Sequence, residues 1–170
     1  RIGGMGESDF PNLLSKFVHD TMIVDVKNLV DQEFSDFDKI EKELNTAFKY
    51  FQFYYPQKDL PVFYFYISGF NQSAVIAENL VGVSLDKYLG RNCSYYQTLS
   101  TTQQYKVQNM YKEKIVPDVV YAWGMTEFGE SSKATNVLGN MIEQGKYMYF
   151  TDALLPSMHD TLKIGYNAKQ

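Results

Sequence analysis

The fold and the candidate site of this chain depend most on one stretch, Leu138-Gly139-Asn140-Met141-Ile142-Glu143-Gln144-Gly145-Lys146-Tyr147-Met148-Tyr149-Phe150. It predicts the later part of a long helix over about residues 132–150, with Ser131 or Ser132 as its N-cap. Glu143 is a carboxylate on an otherwise apolar face. The residues at helical spacing that predict this face are Ala134, Val137, Leu138, Met141, Ile142, Gly145 and Tyr149.

Metal-dependent proteases carry the pattern H-E-x-x-H on such a helix, where two His bind zinc and the Glu acts as a base. Here Glu143 is present, but Ile142 and Lys146 fill the two His positions. A lysine amine binds zinc poorly, because it must first lose a proton and its pKa is about 10.4. A catalytic zinc also needs about three protein ligands, and the chain has only His19 and His159. We therefore expect no metal, no cofactor and no catalytic residue.

Two interpretations of Glu143 and Lys146 stay open. The simpler is an ion pair between residues i and i+3 of a helix, which stabilises a helix by about 0.2–0.5 kcal/mol. The alternative is that the ammonium occupies the space that a metal would fill in a protease and neutralises the carboxylate there.

The composition limits the functional classes. The 170 residues suit one domain, and 45% of them are hydrophobic, which is enough for a core. The net charge is −4 and no long basic run occurs, which argues against nucleic acid as a partner. Cys93 is the only cysteine, so no internal disulfide forms. A G-x-S-x-G elbow and the Gly-rich phosphate loops are absent.

The pattern along the chain predicts a single α+β domain over residues 1–170. Ser35 is a candidate N-cap for the clearest helix, with Asp38 three residues later. The order of helix, short strands and then several helices is typical of the α+β class. The predicted helices are 10–18, 35–51, 103–112 and 117–125, and the predicted strands are 61–67, 74–77 and 80–85.

An ordered series of segments resembles a known family. The segments are Tyr50-Phe51-Gln52-Phe53-Tyr54-Tyr55-Pro56, Ile67-Ser68-Gly69-Phe70-Asn71, Leu85-Asp86-Lys87-Tyr88-Leu89-Gly90, Cys93-Ser94-Tyr95-Tyr96, Ile115-Val116-Pro117-Asp118, Met141-Ile142-Glu143-Gln144-Gly145-Lys146, Asp152-Ala153-Leu154-Leu155-Pro156 and Ile164-Gly165-Tyr166. Together they resemble the gliding-motility lipoprotein GldB family of Bacteroidetes-type bacteria, from about Phe10 to the end of the chain.

The resemblance implies a lipoprotein that faces the periplasm and is anchored in the membrane by a lipid. The anchor Cys would lie upstream of Arg1, in a trimmed part of a longer protein. The resemblance also implies a zincin-like fold, with a small mixed sheet beside the site helix. Ile142, Glu143 and Lys146 would take the His, Glu and His places of an inactivated protease scaffold.

We therefore expect a non-catalytic envelope protein that binds proteins or peptides, with a role linked to gliding or its secretion machinery. Strand 80–85 would be the edge to which a peptide adds by main-chain hydrogen bonds. Asp86, Lys87 and Tyr88 would contact that peptide, unless these residues only close the strand. The alternatives are a residual metal-dependent hydrolase with Glu143 as its base, and a cell-wall glycan binder that uses the Tyr-rich surface.

Overall fold

The computed structural model describes residues 9–77, 79–99, 104–129 and 136–165. Within these ranges the chain forms eight α-helices and one three-stranded sheet, which confirms the α+β class. The elements are α1 (Phe10–Val18), α2 (Thr21–Glu33), α3 (Asp38–Tyr54), β1 (Val62–Tyr66), β2 (Ala74–Ala77), β3 (Leu80–Ser84), α4 (Ser94–Thr98), α5 (Gln104–Val107), α6 (Ile115–Phe128), α7 (Val137–Leu154) and α8 (Asp160–Ile164).

The sheet is mixed, as predicted, but its strand order differs from the expectation for strand 80–85. β3 lies in the centre, with β1 parallel on one side and β2 antiparallel on the other. Tyr64 stands opposite Gly82, and Ile76 stands opposite Val81. The expectation that this strand is an edge is therefore wrong, because both of its main-chain sides are paired. In the described sheet, a peptide that adds as a strand would have to pair with β1 or β2.

Helix α2 has no counterpart in the sequence prediction. The Asp20 side chain caps it by accepting a hydrogen bond from the backbone N–H of Met22, at 2.8 Å. Ile23, Val26 and Val30 are buried at helical spacing. Other apolar residues of the same segment lie on the solvent side, and they obscure the helical period in the sequence.

Helix α3 begins later than predicted and ends later as well. Ser35 is not its N-cap. The Asp36 carboxylate instead accepts a hydrogen bond from the backbone N–H of Asp38, at 2.9 Å, and so forms a local turn before the helix. Side chains of Asp and Ser compete for backbone groups in this way near helix starts, so the sequence fixes the start of the helix only approximately.

The helices after the sheet differ from prediction in length. The predicted helix 103–112 is only the short α5, because Tyr111 pairs with Leu89 in an isolated β-bridge and leaves the helical path. Helix α6 covers the predicted 117–125 and extends beyond it at both ends. Pro117 lies in its first turn, as predicted.

Helix α7 is capped by Asn136, whose side-chain oxygen accepts a hydrogen bond from the backbone N–H of Gly139, at 2.7 Å. The helix continues beyond the predicted end at residue 150. The predicted caps, Ser131 and Ser132, lie outside the described residues, as does Ala134.

The core where α3, α6 and α7 meet is aromatic. The ring centroid of Trp123 lies 5.9 Å from that of Phe48 and 6.0 Å from that of Phe51. The ring of Phe150 reaches Phe51 from α7, at 6.1 Å. Gly124 makes room for it, since an added Cβ there would lie 2.6 Å from the Phe150 ring. This close approach fixes which side of α7 faces the core.

Candidate functional site

The apolar line predicted along α7 faces solvent. Val137 is 77% and Tyr149 is 76% accessible. We call this surface the outward face, and it consists of Val137, Leu138, Met141, Ile142 and Tyr149. The buried residues lie on the other side of the helix: Tyr147, Phe150, Thr151 and Leu154.

The orientation of α7 has a packing cause. Phe150 and Tyr147 are the largest side chains of α7 on the side that meets α3 and α6. The Tyr147 ring packs edge-on against Tyr121, with centroids 6.0 Å apart. Because these aromatic rings fill the interior, the aliphatic residues on the opposite side of the helix must point to solvent.

Glu143 and Lys146 form an i, i+3 ion pair, as in the simpler of the two interpretations of the sequence. The Nζ atom of Lys146 lies 2.7 Å from Oε1 of Glu143. The lysine side chain is 63% exposed, whereas the glutamate side chain is 12% exposed. The hydroxyl of Tyr147 lies 3.5 Å from the other carboxylate oxygen. The carboxylate is therefore held at the inner side of the helix while the ammonium extends into solvent.

This ion pair lies in the wall of a cleft between the ends of α3, α6 and α7. The cleft has a volume of about 550 Å³. Six of its ten lining residues are aromatic, so its interior offers ring surface with one carboxylate and one ammonium. We call it the aromatic cleft, and it is lined by Tyr54, Tyr55, Phe128, Glu143, Lys146, Tyr147, Tyr149, Phe150, Ala153 and Leu154.

The groups that zinc or nucleophilic chemistry would need are dispersed. Across the described ranges, no three His, Cys, Asp or Glu side chains come close enough together to hold a metal ion. Nδ1 of His19 lies 2.7 Å from the carbonyl oxygen of Ser15, and His159 caps α8. Burial raises the pKa of the Cys93 thiol and so favours its unreactive protonated form.

Asp86 is fully buried and organises the turn that follows β1. Its carboxylate accepts hydrogen bonds from the backbone N–H of Phe70, at 2.5 Å, and from the hydroxyl of Ser84. Gly69 and Phe70 both have positive φ, 67° and 65°, and such a conformation is unfavourable for a bulky residue. The buried carboxylate thus stabilises a strained turn, and its side chain does not reach the surface.

Tyr88 and Lys87 lie at the edge of a second cleft, separate from the first. The Tyr88 hydroxyl donates a hydrogen bond to Oδ2 of Asp118, at 3.2 Å, and burial raises the pKa of Tyr88 well above its usual value. The Nζ atom of Lys114 lies 3.1 Å from Oδ1 of Asp118. Of the three residues predicted to contact a peptide, Asp86 and Tyr88 are buried. A binding role for the three stays a prediction.

The structure thus places the predicted residues at two sites. Glu143 and Lys146 line the aromatic cleft, and Ile142 belongs to the outward face beside it. The sequence interpretation missed Tyr54 and Phe128, which complete the aromatic cleft from α3 and α6. The run of aromatic residues at 50–55 was a visible signal, but nothing in the sequence indicated that it meets α7.

A comparison with known families decides what kind of chain this is. Residues 4–170 match the gliding motility protein GldB family. The chain belongs to the GldB family. This confirms the resemblance that the ordered segments indicated. No curated protein and no solved structure matches the chain significantly.

Membership of the GldB lipoprotein family implies a lipid-anchored protein of the cell envelope. Among the described helices, none has the length and hydrophobicity needed to cross a bilayer. The fold of this GldB family member is α+β with a small mixed sheet. Its helix α6 contacts β2 and β3, while α7 packs against α3, α6 and α8.

Proposed function

We propose that this chain is a non-catalytic envelope protein that binds an apolar segment of another envelope protein through the outward face of α7 and the aromatic cleft. One observation supports the proposal above others, namely that α7 exposes an aliphatic face to solvent in addition to the aromatic side that it buries. A surface helix of a globular protein normally carries charged and polar residues on its solvent side.

The outward face has the chemistry of a protein interface. Contiguous exposed apolar patches larger than a few hundred Å² are rare on monomeric proteins and mark interaction sites. Burying each of its large side chains would contribute about 1.5–3 kcal/mol if the burial were complete. Interface cores are enriched in aromatic residues and Met, and Met141 and Tyr149 are of these types.

The aromatic cleft adds a place where one side chain of the partner can be anchored. Tyr149 belongs to both the outward face and the cleft lining, so the two surfaces are continuous. Binding hot spots are enriched in Trp, Tyr and Arg and cluster in well-packed, desolvated pockets. The exposed rings of Phe53 and Tyr54, with centroids 5.5 Å apart, extend this apolar surface onto the end of α3.

The absence of catalysis is also part of the proposal. We infer an inactivated zincin-like protease scaffold in which Ile142 and Lys146 take the positions of two zinc-binding His. The Lys146 ammonium, 2.7 Å from Glu143, supplies the positive charge that a metal would otherwise provide. A role linked to gliding or to its secretion machinery would then depend on binding alone.

The proposal is tested by comparing two kinds of variants in the native bacterium. Met141→Asp should abolish gliding or secretion while the protein level and the membrane fraction stay normal, because a charge in an apolar interface is costly. Leu14→Asp is the matched control, since Leu14 is also exposed and apolar but lies on α1. Glu143→Gln should retain function.

The opposite pattern would overturn the proposal. If Met141→Asp behaves like the wild type and Glu143→Gln is inactive, the residual-hydrolase alternative with Glu143 as base is favoured. Stoichiometric zinc in the purified protein that is lost in Glu143→Gln would support the same alternative.

A second candidate function is cell-wall glycan binding, and the Tyr-lined aromatic cleft favours it. Aromatic rings with polar tips suit a ligand that has both apolar faces and hydroxyl groups. Replacing Tyr54 and Tyr149 together with Ala should then abolish binding of soluble peptidoglycan fragments, and Met141→Asp should leave it intact. Retention of glycan binding in the Tyr variant would exclude this cleft as a glycan site.

A further inference from the structure

The second cleft lies on a different part of the molecule and is polar. It has a volume of about 370 Å³ and is formed by the turn after β1, the segment after β3, the region of α5 and the start of α6. We call it the polar cleft, and it is lined by Asn71, Ser73, Lys87, Tyr88, Tyr105, Lys106, Asn109, Met110 and Asp118. It shares no lining residue with the aromatic cleft.

The charges around this cleft do not balance internally. The Asp118 carboxylate is already satisfied by Lys114, at 3.1 Å, and by the Tyr88 hydroxyl, at 3.2 Å. Among the described residues, neither Lys87 nor Lys106 forms a salt bridge, although most of the described lysines do. Two ammonium groups therefore line one cleft without forming a salt bridge among the described residues.

Lys87 lies near one charge of each sign. Burial lowers the pKa of Lys87, the nearby charge of Asp86 raises it, and the charge of Lys106 lowers it by less than Asp86 raises it. Asp86 does not pair with it, because that carboxylate is bound to Phe70 and Ser84 within the fold. An anion in the cleft would relieve the repulsion between the two ammonium groups and compensate the desolvation of Lys87.

The cleft is held in shape by buried contacts. The turn that carries Asn71 is fixed by the Asp86 carboxylate, and the backbone N–H of Asn71 donates to the Ser68 hydroxyl, at 3.0 Å. Tyr88, next to Lys87, is buried and bonded to Asp118. A pre-organised site loses less conformational entropy when it binds a ligand.

We propose that the polar cleft binds an oxyanion, the carboxylate or phosphate group of a ligand, between the ammonium groups of Lys87 and Lys106. The carboxamides of Asn71 and Asn109 provide additional hydrogen-bond donors at the same cleft. A hydrogen bond in which the donor or the acceptor is charged is about twice as strong as a neutral one. This site is independent of the partner surface on α7.

The test is a titration of the purified chain with three probes, followed by NMR at the side-chain amides of Asn71 and Asn109. The probes are inorganic phosphate, N-acetyl-dialanine with a free carboxylate, and the same peptide with a C-terminal amide. We expect saturable shifts with at least one of the first two probes and none with the amide.

The variants Lys87→Gln and Lys106→Gln should each weaken this binding about tenfold, as loss of one charge-assisted hydrogen bond implies. Lys49→Gln is the matched control, because Lys49 is exposed on α3 and forms no salt bridge among the described residues. Lys87→Arg keeps the charge and should bind, which separates loss of charge from a disturbed fold.

The titration distinguishes the possible ligands. Binding of the peptide carboxylate alone assigns the site to a peptide C-terminus, and binding of phosphate alone assigns it to a phosphate-bearing ligand. The proposal is overturned if neither anion shifts the two amides, or if Lys49→Gln weakens binding as much as Lys87→Gln. Met141→Asp should leave anion binding unchanged, so failure here and failure of the α7 proposal are distinguishable.

Discussion

The orientation of α7 can be tested with two substitutions of the same type on this helix. Leu154 is 1% exposed and Leu138 is 67% exposed. Leu154→Ala removes a fully buried side chain, which costs about 2–5 kcal/mol from lost transfer energy and the cavity that remains. Only about a third of the Leu138 surface is buried, and full burial of a Leu side chain contributes about 1.5–3 kcal/mol. Leu138→Ala should therefore cost less than about 1 kcal/mol.

The assay is urea unfolding of the purified chain, followed by circular dichroism and by the fluorescence of the single Trp123, which is buried between Phe48 and Phe51. The free energy of unfolding comes from linear extrapolation, and an unchanged m-value shows that both variants unfold from a similar state. We expect the two variants to differ by at least about 1–2 kcal/mol.

Equal costs for Leu138→Ala and Leu154→Ala would refute the reasoning, because the outward face would then be packed within the isolated chain. The measurement should be made at two protein concentrations. A cost for Leu138→Ala that grows with concentration would mean that two copies of the chain cover this face.

Three further predictions concern stability. Gly124→Ala should destabilise the fold by about 1–3 kcal/mol in urea unfolding, since the new Cβ would lie 2.6 Å from the Phe150 ring. Lys146→Ala should change the free energy of unfolding by less than about 0.5 kcal/mol, because this lysine is exposed; a cost above 2 kcal/mol would instead indicate a buried role. Burial raises the pKa of Tyr96, so above about pH 10 the unfolded chain loses this proton first and stability falls with pH, by up to about 1.4 kcal/mol per pH unit. Unfolding measured from pH 9 to 11 should show a shallower fall in Tyr96→Phe than in the wild type.

Local patterns predicted the elements whose boundaries depend on short-range chemistry. Helix α1 has the predicted ends, with Pro11 in its first turn, and the three strands lie close to their predicted positions. Pro at the first turn is enough to locate α1, and composition is enough to locate the strands. The central position of β3 in the sheet could not be predicted from local patterns, because strand order depends on tertiary contacts between residues distant in sequence.

The candidate site was predictable only in part for a similar reason. The spacing of Glu143 and Lys146 defines their ion pair, since residues three apart on a helix are neighbours. Helical periodicity also located the apolar side of α7. It could not determine which side faces the core, because both sides carry large apolar or aromatic residues. Which side of α7 faces the core is determined by Gly124 on helix α6, because the missing side chain there leaves room for the ring of Phe150.

This orientation changes how Glu143 should be understood. A carboxylate on the exposed side of α7 would be an ordinary solvated residue, but Glu143 points into the aromatic cleft with 12% of its side chain exposed. Lys146 reaches it from the solvent side, and the Tyr147 hydroxyl lies near its second oxygen. A partner that inserts a cationic side chain into the cleft could replace Lys146 as the counter-ion of this carboxylate. The ion pair would then act as an exchangeable contact at the boundary between the outward face and the cleft.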